Sequence, residues 1–164
     1  MAIRNPHELK ALLAPGRRLA GLDVGEKTIG VAVSDPGLGI ASPIDTIRRT
    51  KFGEDVKALA KMLSGREIGG FVVGLPINMD GTEGPRCQSV RHFADNLLQH
   101  ADLLGREPEI AFWDERLSTA AVERFMIEQA DMSRGKRAHA VDKMAAAYIL
   151  QGALDAMTSR AARP

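Results

Sequence analysis

The stretch Leu19–Asp35, LAGLDVGEKTIGVAVSD, decides the fold. Its first run, Leu19-Ala20-Gly21-Leu22, is apolar and ends in Asp23. Its second, Ile29-Gly30-Val31-Ala32-Val33, is nearly all small or β-branched. Between them Gly25-Glu26-Lys27-Thr28 is turn chemistry, with Gly25 able to take φ > 0. The reading is two short strands joined by a tight turn. Strands this apolar are covered on both faces. A carboxylate at the end of one lies beside the core, where an unpaired charge is costly. Asp23 therefore calls for a hydroxyl, an Arg or a metal ion as its partner.

The whole chain bounds what this hairpin can belong to. Its 164 residues suit one domain, and a domain of about this size buries roughly 70% of its unfolded surface. Hydrophobic content of 45% and charged content of 26% are ordinary for a globular protein. No apolar run approaches the ~20 residues of a membrane helix. The opening MAIRNPHELKALLAPGRR lacks the apolar centre of a signal peptide, so the reading is cytoplasmic, away from membranes. The single cysteine, Cys87, excludes an internal disulfide. A net charge of +1 argues against a bulk polyanion binder, although a local patch would suffice. Aromatic content of 4% argues against a stacking platform for single strands.

Residues 1–18 read as a tail with a short helix over Pro6–Leu13, ended by Pro15-Gly16. Residues 19–157 read as the domain and 158–164 as a second tail. After the opening hairpin a third strand falls within Gly39–Arg48, where Pro43 marks an edge or a bulge. These three strands form an antiparallel meander. The period then changes. Val56, Leu59, Ala60 and Leu63 give a helix over Glu54–Leu63. A buried strand, Gly69–Leu75, runs into a loop at Pro76–Pro85, longer than the usual roughly 4–6 residues and so a candidate functional loop. A long helix follows over Arg86–Leu104, then a fifth strand at Glu109–Trp113. A helix over Thr119–Gln129 has Ser118 as its N-cap. Asp131–Ala138 reads as a basic loop, and a last helix runs from Val141 to Met157. The second half alternates strand and helix, which implies parallel strands beside the meander.

Three acidic positions share one context. Asp23 ends the first strand, Asp114 and Glu115 end the fifth, and Asp142 stands in the first turn of the last helix. Sites in open α/β sheets gather outside the carboxyl ends of the strands. Three or four carboxylate oxygens suit hard cations such as Mg²⁺ or Mn²⁺. Without a cation they repel, and one must stay protonated. Each also has a purely structural reading. Asp142 would be favoured by a helix dipole, Glu115 could pair with Arg116 or Arg124, and Asp23 could cap its own turn.

The sequence resembles the YqgF-type family, the RuvX-like Holliday junction resolvases or pre-16S rRNA nucleases. The matching segments are Leu22-Asp23-Val24-Gly25 through Gly30-Val31-Ala32, Val73-Gly74-Leu75-Pro76 with Asn78-Met79-Asp80-Gly81-Thr82, Asp114–Thr119, and Val141-Asp142 with Ala145-Ala146 and Ile149-Leu150. The resemblance implies an α/β, RNase H-like fold with a mixed five-stranded sheet flanked by helices. It implies catalytic, metal-binding acids at Asp23, Glu115 and Asp142, with Asp114 a neighbour. Strand alternation sets Asp114 and Glu115 on opposite faces. Two Mg²⁺ or Mn²⁺ ions roughly 4 Å apart would clamp the scissile phosphate, with Asp23 bridging, and leave 5′-phosphate and 3′-hydroxyl ends. The implied partner is nucleic acid, either pre-16S rRNA, with ribosomal particles, or branched DNA; the family favours the 5′ end of 16S rRNA over Holliday junctions.

Around these acids, Arg134, Lys136, Arg137 and His139 form a basic run suited to gripping a phosphate backbone. Asn78 belongs to a loop that shapes a substrate groove, Arg116 follows the fifth strand's acids, and Lys27 and Thr28 either touch phosphate or only build the turn. Trp113 reads as core. Cys87 reads as a buried thiol, with pairing across a homodimer as the alternative. Two other functions compete. The Asp-x-Gly-x-x-x-x-Gly pattern at Asp23–Gly30 also suits an actin-like or sugar-kinase phosphate site, but such enzymes hold nucleotide between two domains. A non-catalytic RNA-binding assembly module could keep the fold, against the presence of all three acids.

Overall fold

The computed structural model describes the backbone of residues 3–117 and 134–161, and side chains for residues 5–117 and 144–158. Its strands are β1 (Ile3–Arg4), β2 (Arg18–Val24), β3 (Thr28–Ser34), β4 (Ala41–Arg48), β5 (Ile68–Leu75) and β6 (Ile110–Asp114). They form one sheet in the order β1-β6-β5-β2-β3-β4. β2, β3 and β4 make the expected antiparallel meander, and β5 and β6 add to β2 in parallel. The apolar runs at 19–24 and 29–33 become adjoining inner strands because both of their faces are covered. β4 lies at the sheet edge, and its register shifts opposite Val31/Ala32, where Pro43 pairs with Ala32. Both consequences follow from a proline that cannot donate to a ladder.

Helices cover the two faces. α2 (Phe52–Leu63) and α3 (Pro85–Gln99) pack on one, against Leu22, Val24, Val73 and Leu75. α5 (Arg134–Ala161) packs on the other, against Leu19, Ala32, Val72 and Ala111. The alternation along β2 and β5 sorts side chains to these two cores. Gly21 lets α5 come close: a Cβ added there would stand 2.7 Å from Leu150 Cβ and 2.9 Å from the Ala146 carbonyl. No helix among the described residues is long and apolar enough to cross a membrane.

Several sequence expectations are corrected. The opening segment, read as a tail, carries β1 paired in parallel with β6 and α1 (Pro6–Leu12), whose Leu9 is fully buried against the α5 core. Asn5 caps α1 by accepting from the Glu8 amide at 3.0 Å. Gly25 does not take a positive φ. Its value is room, since a Cβ would lie 3.1 Å from the Thr28 carbonyl that its own amide bonds. The long helix over Arg86–Leu104 breaks at His100 into α3 and a short α4 (Ala101–Leu104). There the His100 ring meets Phe52 edge-on, at 5.0 Å, and its Nδ1 lies 2.7 Å from the Asn96 carbonyl. Finally, the basic run Arg134–His139 is helical rather than a loop. A single Gly135 weakens a helix by only about 1 kcal/mol, and α5 runs through it. The expected helix over Thr119–Gln129, its Ser118 cap and Arg124 lie outside the described residues.

The close approach at Gly21 is testable. Gly21→Val should push α5 off the sheet and cost about 2–3 kcal/mol, a fall of roughly 4–12 °C in Tm for a domain of this length. Gly53→Ala, in the first turn of α2 where a Cβ meets nothing within 4 Å, should leave stability unchanged or raise it by up to about 1 kcal/mol. Equal melting of the two variants would refute the packing argument.

Candidate active site

Register brings the carboxyls together. Leu22 pairs with Val73, and Val73 with Phe112. One step further, Asp23, Gly74 and Trp113 stand level at the carboxyl ends of three parallel strands, on the face that α5 covers. The middle position has no side chain, which leaves a hollow. Glu115, in the 3-10 turn Glu115–Leu117 directly after β6, folds back into it. A Cβ added at Gly74 would stand 2.6 Å from Glu115 Oε1 and 2.5 Å from Ile149 Cδ1 of α5. From that hollow the protonated Glu115 carboxyl donates a hydrogen bond to Asp23.

This pair has unusual acidity. Burial, then the Asp23 charge and the hydrogen bond to Asp23, raise Glu115 to about 7, while Arg86 opposes the rise. Two carboxyls share one proton because two adjacent anions in a half-buried hollow repel. An arrangement of hard oxygen donors holding a proton between them fits a divalent cation, which would take the proton's place. Among the described residues no three His, Cys, Asp or Glu side chains form a metal cluster. Asp142, the third expected acid, lies on α5 two helical turns before Ile149 and one before Ala146, and its side chain is outside the described set. It is not in the first turn of its helix, as the sequence suggested, so the dipole reading of Asp142 loses its basis, since that effect fades beyond one turn.

The neighbours divide into occupied and open groups. Arg116, expected at substrate, grips Asp114: Nη2 lies 2.6 Å from Oδ2, and Nε and the backbone amide also bond that carboxylate. This holds Asp114 well below the usual carboxylate range. Its Nη1 reaches the Asn78 carbonyl at 3.5 Å. The loop after β5 is closed on itself: Asn78 Nδ2 donates to Thr82 Oγ1 at 3.0 Å, Thr82 donates to Asp80 at 2.6 Å, and Gly81 takes φ +90°. Asn78 thus builds the loop, and Met79, 85% exposed, is its tip. Lys27 is exposed in the β2–β3 turn, while Thr28 starts β3 and accepts from Gly25. The side chains of Arg134, Lys136, Arg137 and His139 lie outside the described set. Trp113 is half-buried, packed against the α5 core and Gly152. Cys87 is fully buried, and burial pushes its thiol up, so the free thiol is not presented for pairing across a dimer.

Arg86 and Arg49 are the residues that sequence reading missed. Arg86 begins α3 and is close enough to favour the Glu115 anion. Arg49 donates to the Gly25 carbonyl at 2.7 Å and so holds the turn after Asp23. The visible signal was the run Arg48-Arg49-Thr50-Lys51 just past β4 and the Pro85-Arg86 start of a helix.

The raised Glu115 has a consequence for stability. Unfolded, the group titrates near 4.5, folded near 7. The folded state therefore binds the extra proton between those values, and stability falls as pH rises through that window. Glu115→Gln keeps a donor to Asp23 without the charge. It should match the unmutated chain at pH 4 and exceed it by on the order of 2–3 kcal/mol at pH 8. Thermal melts at the two pH values, in chelator, check this; equal melting at pH 8 would refute the shared proton.

Residues 17–156 match the family model described as RuvX: Holliday junction resolvase. A protein of Rhodospirillum centenum named "Putative pre-16S rRNA nuclease" is 65% identical over 164 residues, covering 100% of this chain and 87% of the relative. A protein of Phenylobacterium zucineum with the same name is 57% identical over 155 residues, covering 94% of this chain and 97% of the relative. Among solved structures, T. thermophilus RuvC in complex with Holliday junction substrate matches at a TM-score of 0.51 and 16% identity, over 89% of this chain and 96% of that one. That likeness is one of fold and agrees with the RNase H-like reading. With a match from before β2 to near the end of α5, and relatives this similar over nearly their whole length, the chain belongs to the RuvX family.

Proposed function

We propose that the chain is a metal-dependent nuclease that hydrolyses phosphodiester bonds of structured nucleic acid in the cytoplasm, its substrate being the 5′ region of precursor 16S rRNA. The observation that carries the reading is the Asp23–Glu115 pair, two hydrogen-bonded carboxyls brought together over Gly74 at the carboxyl ends of parallel strands. The RNA assignment follows the names of the relatives. Asp23 and Glu115, with Asp142 as third ligand, would hold Mg²⁺ or Mn²⁺, as a pair of ions. Bound there, the metal supplies Lewis-acid polarisation of the phosphate and a more acidic water.

The chain's own groups do the rest. Glu115 would hold the metal as the anion, its proton passing to solvent, and Arg86 favours that anionic form. The Asp114–Arg116 pair fixes the turn from which Glu115 reaches the hollow. Arg134, Lys136, Arg137 and His139, with Lys27 and Thr28, hold the phosphate backbone; these contacts position the strand without reading its bases.

Cleavage of a labelled precursor 16S rRNA 5′ fragment and a four-way DNA junction, each with Mn²⁺, Mg²⁺ or chelator, tests this. The RNA should be cut only with metal, and Asp23→Asn should fall to the chelator background while remaining folded. Cutting of the junction alone would reassign the substrate to branched DNA. Tight binding without cutting of either would favour an assembly module.

A further inference from the structure

A cleft of about 120 Å³ opens beside the acid pair, between the end of β2 and the start of α3. Val24, Gly25, Arg49, Pro85, Arg86 and Ser89 line it, with Glu26 at its lip. Val24 belongs to the core under α2 and α3, whereas Asp23 faces α5, so the cleft lies on the opposite side of the sheet edge from the acid pair's hollow. Its volume leaves room for a phosphate group.

Two cations define its chemistry. Arg49 is fixed in place: Nη1 donates to the Gly25 carbonyl at 2.7 Å, its guanidinium stands 5.5 Å over the Phe93 ring, and Nε lies 4.0 Å from Asp55 Oδ2. A guanidinium offers five donors, and immobilisation by these three neighbours lowers the entropy lost when the rest engage a ligand. Arg86 is exposed and makes no ion pair among the described residues. Arg91 and Arg116 nearby are each closed on a carboxylate, Glu83 and Asp114. Arg86 thus stands apart from them, facing a cleft that Arg49 already lines.

We infer that Arg49 and Arg86 form a second phosphate subsite, which holds a backbone phosphodiester next to the scissile one as the strand passes over the sheet edge. The inference rests on the nuclease reading for its substrate. Arg86 acts in it as a positioning residue. Guanidinium suits the role because its planar fork matches two phosphate oxygens. Glu26 opposes the bound anion and keeps the subsite weak.

The test is binding of the precursor 16S rRNA 5′ fragment to the full chain in chelator, where no cleavage occurs, with a 2′-deoxy methylphosphonate linkage placed at one backbone position at a time. In the unmutated chain a neutral linkage next to the scissile position should weaken binding about fivefold. In Arg86→Ala that penalty should vanish, and the dependence of log affinity on log salt should flatten by about one. Arg86→Lys should restore the slope, and Glu26→Gln should tighten binding. A methylphosphonate penalty that survives Arg86→Ala at every position, or an unchanged salt slope, would overturn the subsite. Failure of the nuclease reading appears separately, as metal-dependent cutting of neither substrate by the unmutated chain.

Discussion

Two carboxyl groups that share one proton at the end of β2 repel as soon as that proton leaves, and the surrounding fold keeps them from parting. Asp23 cannot retreat, because β2 is paired on both sides, with β3 and β5. Glu115 could swing outward into water, where a carboxylate is better solvated. It is kept in by the 3-10 turn, by the hollow over Gly74 and by Ile149 from α5. The strand order matters as much. β5 lies between β2 and β6 and contributes a glycine at their level, so that Glu115, from the turn after β6, can cross it. Any other residue at that position would fill the space with its own Cβ.

The distribution of cations makes the same point from the outside. Arg116 is the residue after Glu115 and would be the obvious internal partner for it. It closes instead on Asp114, through three side-chain contacts and a backbone amide. An arginine paired directly with Glu115 would hold that group ionised and neutralise the site from within. With Arg116 turned to Asp114, the charge that acts on Glu115 is that of Arg86, which favours its anion without overcoming burial and the Asp23 charge. The lock on Asp114 also explains why the two adjacent acids behave oppositely: one is held below its ordinary range by a guanidinium, and the other is raised by burial and a second carboxyl.

Much of this was legible in the sequence because it depended on local pattern. Apolar runs at 19–24 and 68–75 can only be inner strands, Pro43 can only sit where a ladder donor is not needed, and an acid after each of two parallel strands must reach the same sheet edge. What escaped the sequence depends on contacts between distant segments. The two-residue strand at Ile3–Arg4 exists because β6 offers it an edge. The break at His100 accompanies a ring contact with Phe52, nearly fifty positions earlier. Gly25 read as a residue able to take φ > 0, whereas it serves close approach. Arg49 and Arg86 carried no motif, since neither matters until the turn after β4 and the start of α3 meet beside Val24.

The same geometry explains why overall charge says little about this chain. A formal charge of +1 conceals an ordered arrangement in which anions occupy the sheet edge and arginines stand beyond it on the α3 side. A polyanion approaching along that edge meets attraction at its flanking phosphates and repulsion at the point nearest Asp23 and Glu115. Near contact the attraction is short-ranged, because charges farther apart than about 8–10 Å are screened at ordinary salt. Specific placement, rather than net charge, then governs which backbone position can rest over the acids. On the proposed reading, contacts at the flanks would hold a strand in register while a cation at the acids would offset their repulsion of its phosphates, so that strand binding and metal loading would reinforce each other.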